Sequence, residues 1–416
     1  MKFRLEPGRG PRPPLCQTPS PGDDNNEETD LSGVIAALSI GGATQAQAQA
    51  QDTVTLGALV TLSGAGAAWG QGMKNAAEIA ADQVNKAGGL EVGGKKYQVK
   101  VVAYDDKYQA NEAVTVANRL VFEDKVKYII GPVGSAPVLA IQPITEKNGV
   151  ILMTLGFTAK ALAADKPYTF RPNVTTAEVS QPQIDWLVKH EGLKKVGALF
   201  PNDETGQQIA QDLAGAYKKA GADLAAKEFF ERDRVDFVPM LTRMLASGID
   251  AIELDGNSPA TAGMIVKQAR ELGYTGKIVR TGGPATQEII NVAGKSSTQG
   301  MFVHTPVDPE LASTKAYAAL YAAKYKQPMN GFSPAFYDGT NLLFEAMRRA
   351  GTVSDTDKVR KELEKISGYD GALGKLNWTG KAMYGIDHQL DAPFYVAEVK
   401  DGKEVIRARC TVSGCQ

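Results

Sequence analysis

Residues 97–154 read YQVKVVAYDDKYQANEAVTVANRLVFEDKVKYIIGPVGSAPVLAIQPITEKNGVILMT, and this stretch decides the fold. YQVKVVAYDD (97–106) is rich in β-branched residues and reads as a strand. ANEAVTVANRLVFED reads as the helix that follows it, and VKYIIGP as the next strand. A helix through 140–147 ends at Gly149, and VILMT (150–154) is a further strand. Strands separated by one helix each imply right-handed β-α-β crossovers and a parallel sheet. Upstream, TVTLGALV (53–60) is another strand. Its helix carries Met73, Ala76, Ala77, Ala80, Val84 and Ala87 at spacings of three and four and stops at Gly88-Gly89.

Downstream the rhythm restarts after FRPN (170–173). KKVGALFPN, GIDAIELDG and GKIVRTGG read as strands, with helices near 206–220, 236–247 and 259–273 between them. MFVHTPV (301–307) is one more strand, and helices follow around 310–326, 335–350 and 355–366. The tail segments GKLNWTG and FYVAEVKDGKEVI read as antiparallel strands with a turn at Asp401-Gly402. Two consecutive α/β units predict two lobes. The helical block 310–366 is long enough to return to the first lobe, which would make both lobes discontinuous.

Composition removes several function classes. Lys+Arg number 46 and Asp+Glu 47, so no basic excess is available to neutralise nucleic-acid phosphates. The histidines His190, His304 and His388 lie far apart without metal-ligand spacing, and three cysteines cannot build a disulfide scaffold. No metal or cofactor is expected. Cys410 and Cys415 either form a small disulfide, if the chain is exported, or stay free. Gly64-Ala65-Gly66-Ala67-Ala68-Trp69 starts like a dinucleotide fingerprint, but Trp stands at its third small position. Val133-Gly134-Ser135 lacks the glycine of a nucleophile elbow, and neither a P-loop nor HExxH occurs. The chain is not expected to be an enzyme.

The first fifty residues fall outside this fold. Residues 1–30 are rich in Pro, Gly and acidic residues and read as disordered. Thirteen largely apolar residues (31–43) precede Ala46-Gln47-Ala48 and Ala48-Gln49-Ala50, the pattern that ends a secretory signal peptide. The run is too short to span a bilayer. Acidic residues precede it where a signal peptide carries basic ones, so the true start is expected to differ, or the basic region to be missing. A disordered cytosolic tail is the alternative. Cys16 lacks the small residues of a lipoprotein box, and no lipid anchor is expected.

Ligands of open α/β sheets bind beyond the carboxyl ends of the strands. Here those ends are 62–64, 134–135, 155–158, 202–205, 255–258 and 280–283, nearly all small, polar or Gly-rich. Hydroxyls and free backbone N–H groups at helix N-termini suit a carboxylate. Trp69 is either a core aromatic or a stacking surface, Phe332 is core or pocket, and Arg171 either braces the crossover or touches ligand.

VTLGALVTLSGAGAAWGQGMKNAAEIAADQVNKAGGL, VVAYDDKYQANEAVTVANRLV, YIIGPVGSAPVLAIQPITEKNGVILMT and QARELGY together resemble the type I periplasmic solute-binding proteins of ABC importers, leucine/isoleucine/valine-binding group. The resemblance covers about residues 52–400. It implies two Rossmann-like lobes, 52–172 plus 303–385 and 173–302 plus 386–416, joined by a three-strand hinge with the ligand cleft between them. Matching positions imply carboxylate contacts at Ser135, Phe157 and Thr158 and an aromatic lid at Trp69. They add Thr205 and Asn257 from the second lobe and an apolar wall at Phe332. The family's acidic residue for a ligand ammonium should lie near Thr281-Gly282-Gly283, where none stands. Asp255 or Glu204 would have to replace it, whereas Arg280 suits a ligand without an amine. The resemblance implies a periplasmic monomer that captures a branched-chain or related amino acid, or else an aromatic acid or other amine-free carboxylate or amide, and passes it to a membrane ABC permease. A cytosolic sensor of the same fold is the remaining alternative.

Overall fold

A computed structural model of the chain describes residues 52–416. The leader-like segment, with its apolar run, its Ala-x-Ala sites and Cys16, lies outside the described residues.

The first sheet comprises β1 (Asp52–Val60), β2 (Leu90–Val92), β3 (Lys95–Asp105), β4 (Tyr128–Val133), β5 (Ile151–Leu155) and β6 (Thr169–Phe170). They lie in the order β2-β3-β1-β4-β5-β6, all parallel except β2 against β3. The helices of this lobe include α1 (Ala67–Lys86), α2 (Ala110–Asn118) and α3 (Ser135–Lys147). Trp69, Met73, Ala76, Ala77 and Ala80 of α1 are buried. A Cβ on Gly70 would lie 1.9 Å from the Thr61 carbonyl oxygen, so only glycine lets α1 approach the end of β1 this closely.

The second lobe follows through α4 (Thr176–Glu191), β7 (Lys195–Pro201), α5 (Glu204–Ala220), β8 (Asp223–Phe230), α6 (Val238–Ala246), β9 (Ala251–Glu253), α7 (Pro259–Glu271), β10 (Lys277–Arg280) and β11 (Phe302–Thr305). Residues 369–391 form a small antiparallel sheet of β12 (Tyr369–Gly371), β13 (Gly374–Thr379) and β14 (Gln389–Asp391). The chain ends in β15 (Phe394–Lys400), β16 (Lys403–Thr411) and β17 (Gly414–Cys415), the last two bridged by a Cys410–Cys415 disulfide. The second sheet runs β17-β16-β15-β11-β10-β9-β7-β8, parallel from β8 to β11 and antiparallel beyond. In each sheet consecutive strands leave in opposite directions from a central strand, between β1 and β4 and between β7 and β9. Such switch points open a crevice at the strand ends.

Three segments connect the lobes, and two lie later in the chain than expected. The first falls between β6 and α4. The second follows Thr305, not residue 302, because His304 and Thr305 pair with Val396 and Tyr395 inside the second sheet. The third follows Asp391, not residue 385, because β14 stays in the small sheet and Gln389 bridges to Arg171. Among the described residues, no helix is long and apolar enough to cross a membrane.

Candidate functional site

The loops after β4 and β5 face the N-terminus of α5 across the crevice. Gly134 caps α3 at φ 92°, a conformation that only glycine adopts readily, and aims the Ser135 amide outwards. That amide donates to Thr205 Oγ1 at 2.9 Å, from one lobe to the other. The Thr158 amide donates to Ser135 Oγ at 2.9 Å. Two helix N-termini and two convergent backbone N–H groups thus meet at one buried spot, an arrangement that favours an anion. Beside it, Glu204 accepts from Thr158 Oγ1 at 3.5 Å and from Lys160 Nζ at 2.8 Å.

Next to these donors lies an aromatic box. The Trp69 ring is 5.4 Å from Phe332 and 6.3 Å from Phe157, and Phe157 is 6.3 Å from Phe332. All three side chains are buried. Trp69 Nε1 donates to the Pro284 carbonyl at 3.0 Å, a second contact between the lobes. Trp69 is therefore both core and cleft wall.

Asn257 and Arg280 complete the second-lobe side. Asn257 Nδ2 donates to the carbonyls of Leu199 and Leu254 at 2.9 and 3.0 Å. Arg280, only 1% exposed, donates to the carbonyls of Gly283, Leu254 and Asn257 at 2.6, 3.0 and 2.8 Å. The three N–H groups that could meet an amine-free ligand are thus engaged within the second lobe. The guanidinium is turned into its own lobe because three strand-end carbonyls converge on it, and it braces the loops that carry Asn257 and Gly283.

The two acids that could replace the missing ammonium partner are engaged within the protein. Glu204 faces Lys160. Asp255 accepts from the Thr176 hydroxyl and from the Gly256 amide. Burial pushes its pKa up, against the opposing pull of Arg280. A Cβ on Gly283 would lie 3.5 Å from both Asp255 Oδ1 and Trp69 Cζ2 and 2.9 Å from Arg280 Nη2.

The Lys107–Tyr108 turn has no counterpart in the sequence reading. Lys107 and Tyr108 take left-handed backbone conformations at φ 52° and 61°, uncommon for non-glycine residues. This turns the Tyr108 ring over Gly66 and Gly134 and towards the second lobe, where Arg232 Cζ lies 4.1 Å from its centroid. Asp203, which caps α5, holds Arg232 by an ion pair. Arg171, read from the sequence as either a brace of the crossover or a ligand contact, is placed as a brace. It donates to the carbonyls of Gly156 and Thr158 at 2.9 and 3.3 Å, to Glu178 Oε1 at 3.0 Å, to Tyr384 at 2.7 Å and to Gln389. It thereby ties the Phe157–Thr158 loop to the first connecting segment, in which it lies, and to the Tyr384–Gln389 stretch ahead of the third. Among the described residues, no group of three or more His, Cys, Asp or Glu side chains could hold a metal ion.

A family model described as periplasmic binding protein matches residues 53–404. A Leu/Ile/Val-binding protein homologue from Brucella melitensis is 26% identical over 378 residues, covering 90% of this chain and 98% of its own. The substrate binding protein LivJ of a branched-chain amino acid transporter from Streptococcus pneumoniae, solved with isoleucine, is 25% identical. It superposes with a TM-score of 0.75 over 86% of this chain and 99% of its own. A solute binding protein of an ABC transporter from Rhodopseudomonas palustris, solved with benzoate, is 18% identical, with a TM-score of 0.75 over 88% and 97%.

Proposed function

Because the chain belongs to the periplasmic binding protein family, we propose that it captures a small carboxylate by closing its two lobes and presents it, unaltered, to a membrane ABC permease. The observation that carries this reading is the convergence of the Ser135 and Thr158 amides with Thr205 of the opposite lobe. In the closed arrangement the Thr205 hydroxyl accepts from the Ser135 amide, as a ligand carboxylate oxygen would. A carboxylate taking both amides contacts the first lobe directly and the second through Thr205. It therefore favours closure, since only interactions made better in one state shift an equilibrium.

The apolar body of the ligand lies against Trp69, Phe157 and Phe332. We favour a carboxylate without an amine. Proteins of this fold hold isoleucine in one case and benzoate in another, so the fold itself does not select. The loop at Gly282-Gly283 carries no acid, Glu204 faces Lys160, and Asp255 is engaged by Thr176. An ammonium buried there without a partner would cost several kcal/mol. The Cys410–Cys415 disulfide supports export to an oxidising compartment, the periplasm, over a cytosolic sensor.

Calorimetry with leucine and with 4-methylpentanoate, which lacks only the amine, tests the ligand class. The amine-free acid is expected to bind at least as tightly. Clearly tighter binding of leucine would return the reading to amino acids, with Asp255 as the ammonium partner.

A further inference from the structure

A second pocket, of about 450 Å³, shares no residue with the carboxylate site or the aromatic box. It is lined from the second lobe by residues around Thr286 and Glu404 and from the first by residues 328–331. Val307 and Pro309 of the segment between the lobes complete it. The lobes touch at its edge, where a Cβ on Gly331 would lie 2.5 Å from Pro284 Cβ. Two carboxyls line it: Glu288, in the first turn of the helix Thr286–Ala293, and Glu404, near the start of β16. No positive charge acts on Glu404, and Glu288 feels only Arg280 against the repulsion of Glu404. Burial pushes both pKa values up. Lys403 precedes Glu404 on the strand, so its side chain leaves on the opposite face, where it is exposed. The Thr286 hydroxyl, on a residue only 8% exposed, lies towards the Glu404 carboxyl without closing a hydrogen bond on it, and its Oγ1 has no other partner. Buried hydroxyls are nearly always satisfied, so this one points to a third group between them.

We propose that this pocket binds a small organic ammonium with an apolar stem, whose N–H groups donate to Glu288, Glu404 and Thr286 Oγ1. A primary ammonium has three donors and no acceptor, which matches two carboxyls and one unpartnered hydroxyl oxygen. An anion would meet two carboxyls of its own sign, and a neutral ligand would leave them without a counter-charge in a partly buried place. A metal ion lacks the ligands, since among the described residues no group of three or more acids, histidines or cysteines could hold one. The rest of the lining sets the stem: Ile290, Val307, Pro328 and Met329 are apolar, as in pockets that take small organic molecules. Nothing in this site draws on the cleft, so a carboxylate there and an amine here can be held at once.

Calorimetry on the full chain with hexylammonium, hexanol and ammonium chloride tests it. Hexylammonium is expected to bind at one site, about tenfold or more tighter than hexanol, which has the stem without the charge, and than ammonium, which has the charge without the stem. Glu404→Gln is expected to weaken it about tenfold and Thr286→Val about threefold. If Glu404→Gln does not fold, Glu288→Gln and the three-compound comparison on the unchanged chain decide. Hexylammonium bound no tighter than hexanol, or bound as well by the Glu404→Gln and Glu288→Gln variants as by the unchanged chain, would overturn the inference. So would a loss with Glu204→Gln and none with Glu404→Gln, which would place the amine in the cleft. Hexylammonium bound no tighter than hexanol would leave the carboxylate reading standing.

Discussion

Replacing Arg280 separates a loop brace from a ligand contact. Arg280→Met removes three N–H donors, taking the guanidinium from the buried carbonyls of Asn257 and Gly283, while the Leu254 carbonyl keeps its bond from Asn257 Nδ2. Hydrogen bonds from a charged group contribute about 1.5–3 kcal/mol each, but they are not additive. Against that loss stands a gain, because the buried guanidinium no longer has to be desolvated, the effect that already lowers its pKa. Asp255 also loses the charge that opposes its raised pKa. Breaking a buried charged group out of such a setting typically costs about 3–5 kcal/mol, a large share of the roughly 5–15 kcal/mol that holds a folded protein together. Arg280→Lys keeps the charge but not the planar fork, and a single ammonium cannot reach three diverging carbonyls as the guanidinium does. It should restore less than half of the loss. Urea unfolding followed by tryptophan fluorescence reads the midpoint, and calorimetry with a bound carboxylate reads affinity. An unchanged midpoint with sharply weakened binding would refute the brace and return Arg280 to the ligand.

Trp69→Ala should weaken binding of an aromatic carboxylate more than that of an aliphatic one, because two of its ring neighbours, Phe157 and Phe332, then line a larger gap; equal losses by calorimetry would remove the aromatic body. Gly134→Ala would place a Cβ 2.6 Å from the Tyr108 hydroxyl and ring, pushing that ring off Arg232, so the closed form should become scarcer and the radius of gyration larger by solution scattering. Thermal stability should rise as pH falls from 8 to about 5.5. Burial outweighs hydrogen bonding to push Asp106 and Asp212 up to about 6 and Glu253 and Asp338 up to about 7. Carboxyls with raised folded pKa values contribute stability that is present at low pH and lost as pH rises through 6 and 7. His304, lowered to about 3 by burial, opposes this below its ordinary value, one imidazole against four carboxyls. A melting temperature that falls steadily over this window would contradict the assignment.

The parallel strands were legible because their central members are continuous apolar runs, as β4 and β5 are, buried on both faces. Strand β8 was not, because DLAAKEFF lies at the sheet edge, exposes alternate residues and is built from Ala, Lys and Glu, which favour helices. α3 starts at Ser135, several residues before the expected 140, since Pro137 and Pro143 interrupt the apolar period without breaking the helix. MFVHTPV was legible as a strand, but its sheet depends on pairing with β15, nearly a hundred residues on. The strand-end loops could be named in advance because the α/β architecture dictates where they lie. What their side chains touch could not. Arg280 and Arg171 chose backbone carbonyls brought together by tertiary structure. Tyr108 reaches Arg232 only through a left-handed backbone that no local residue pattern announces.

Solution scattering of the chain, empty and saturated with its tightest carboxylate, tests the central claim most directly. The account predicts a smaller radius of gyration with ligand, and recovery of the same compound, chemically unchanged, when the protein is denatured. Identical profiles at calorimetrically verified saturation, or a converted compound, would contradict it.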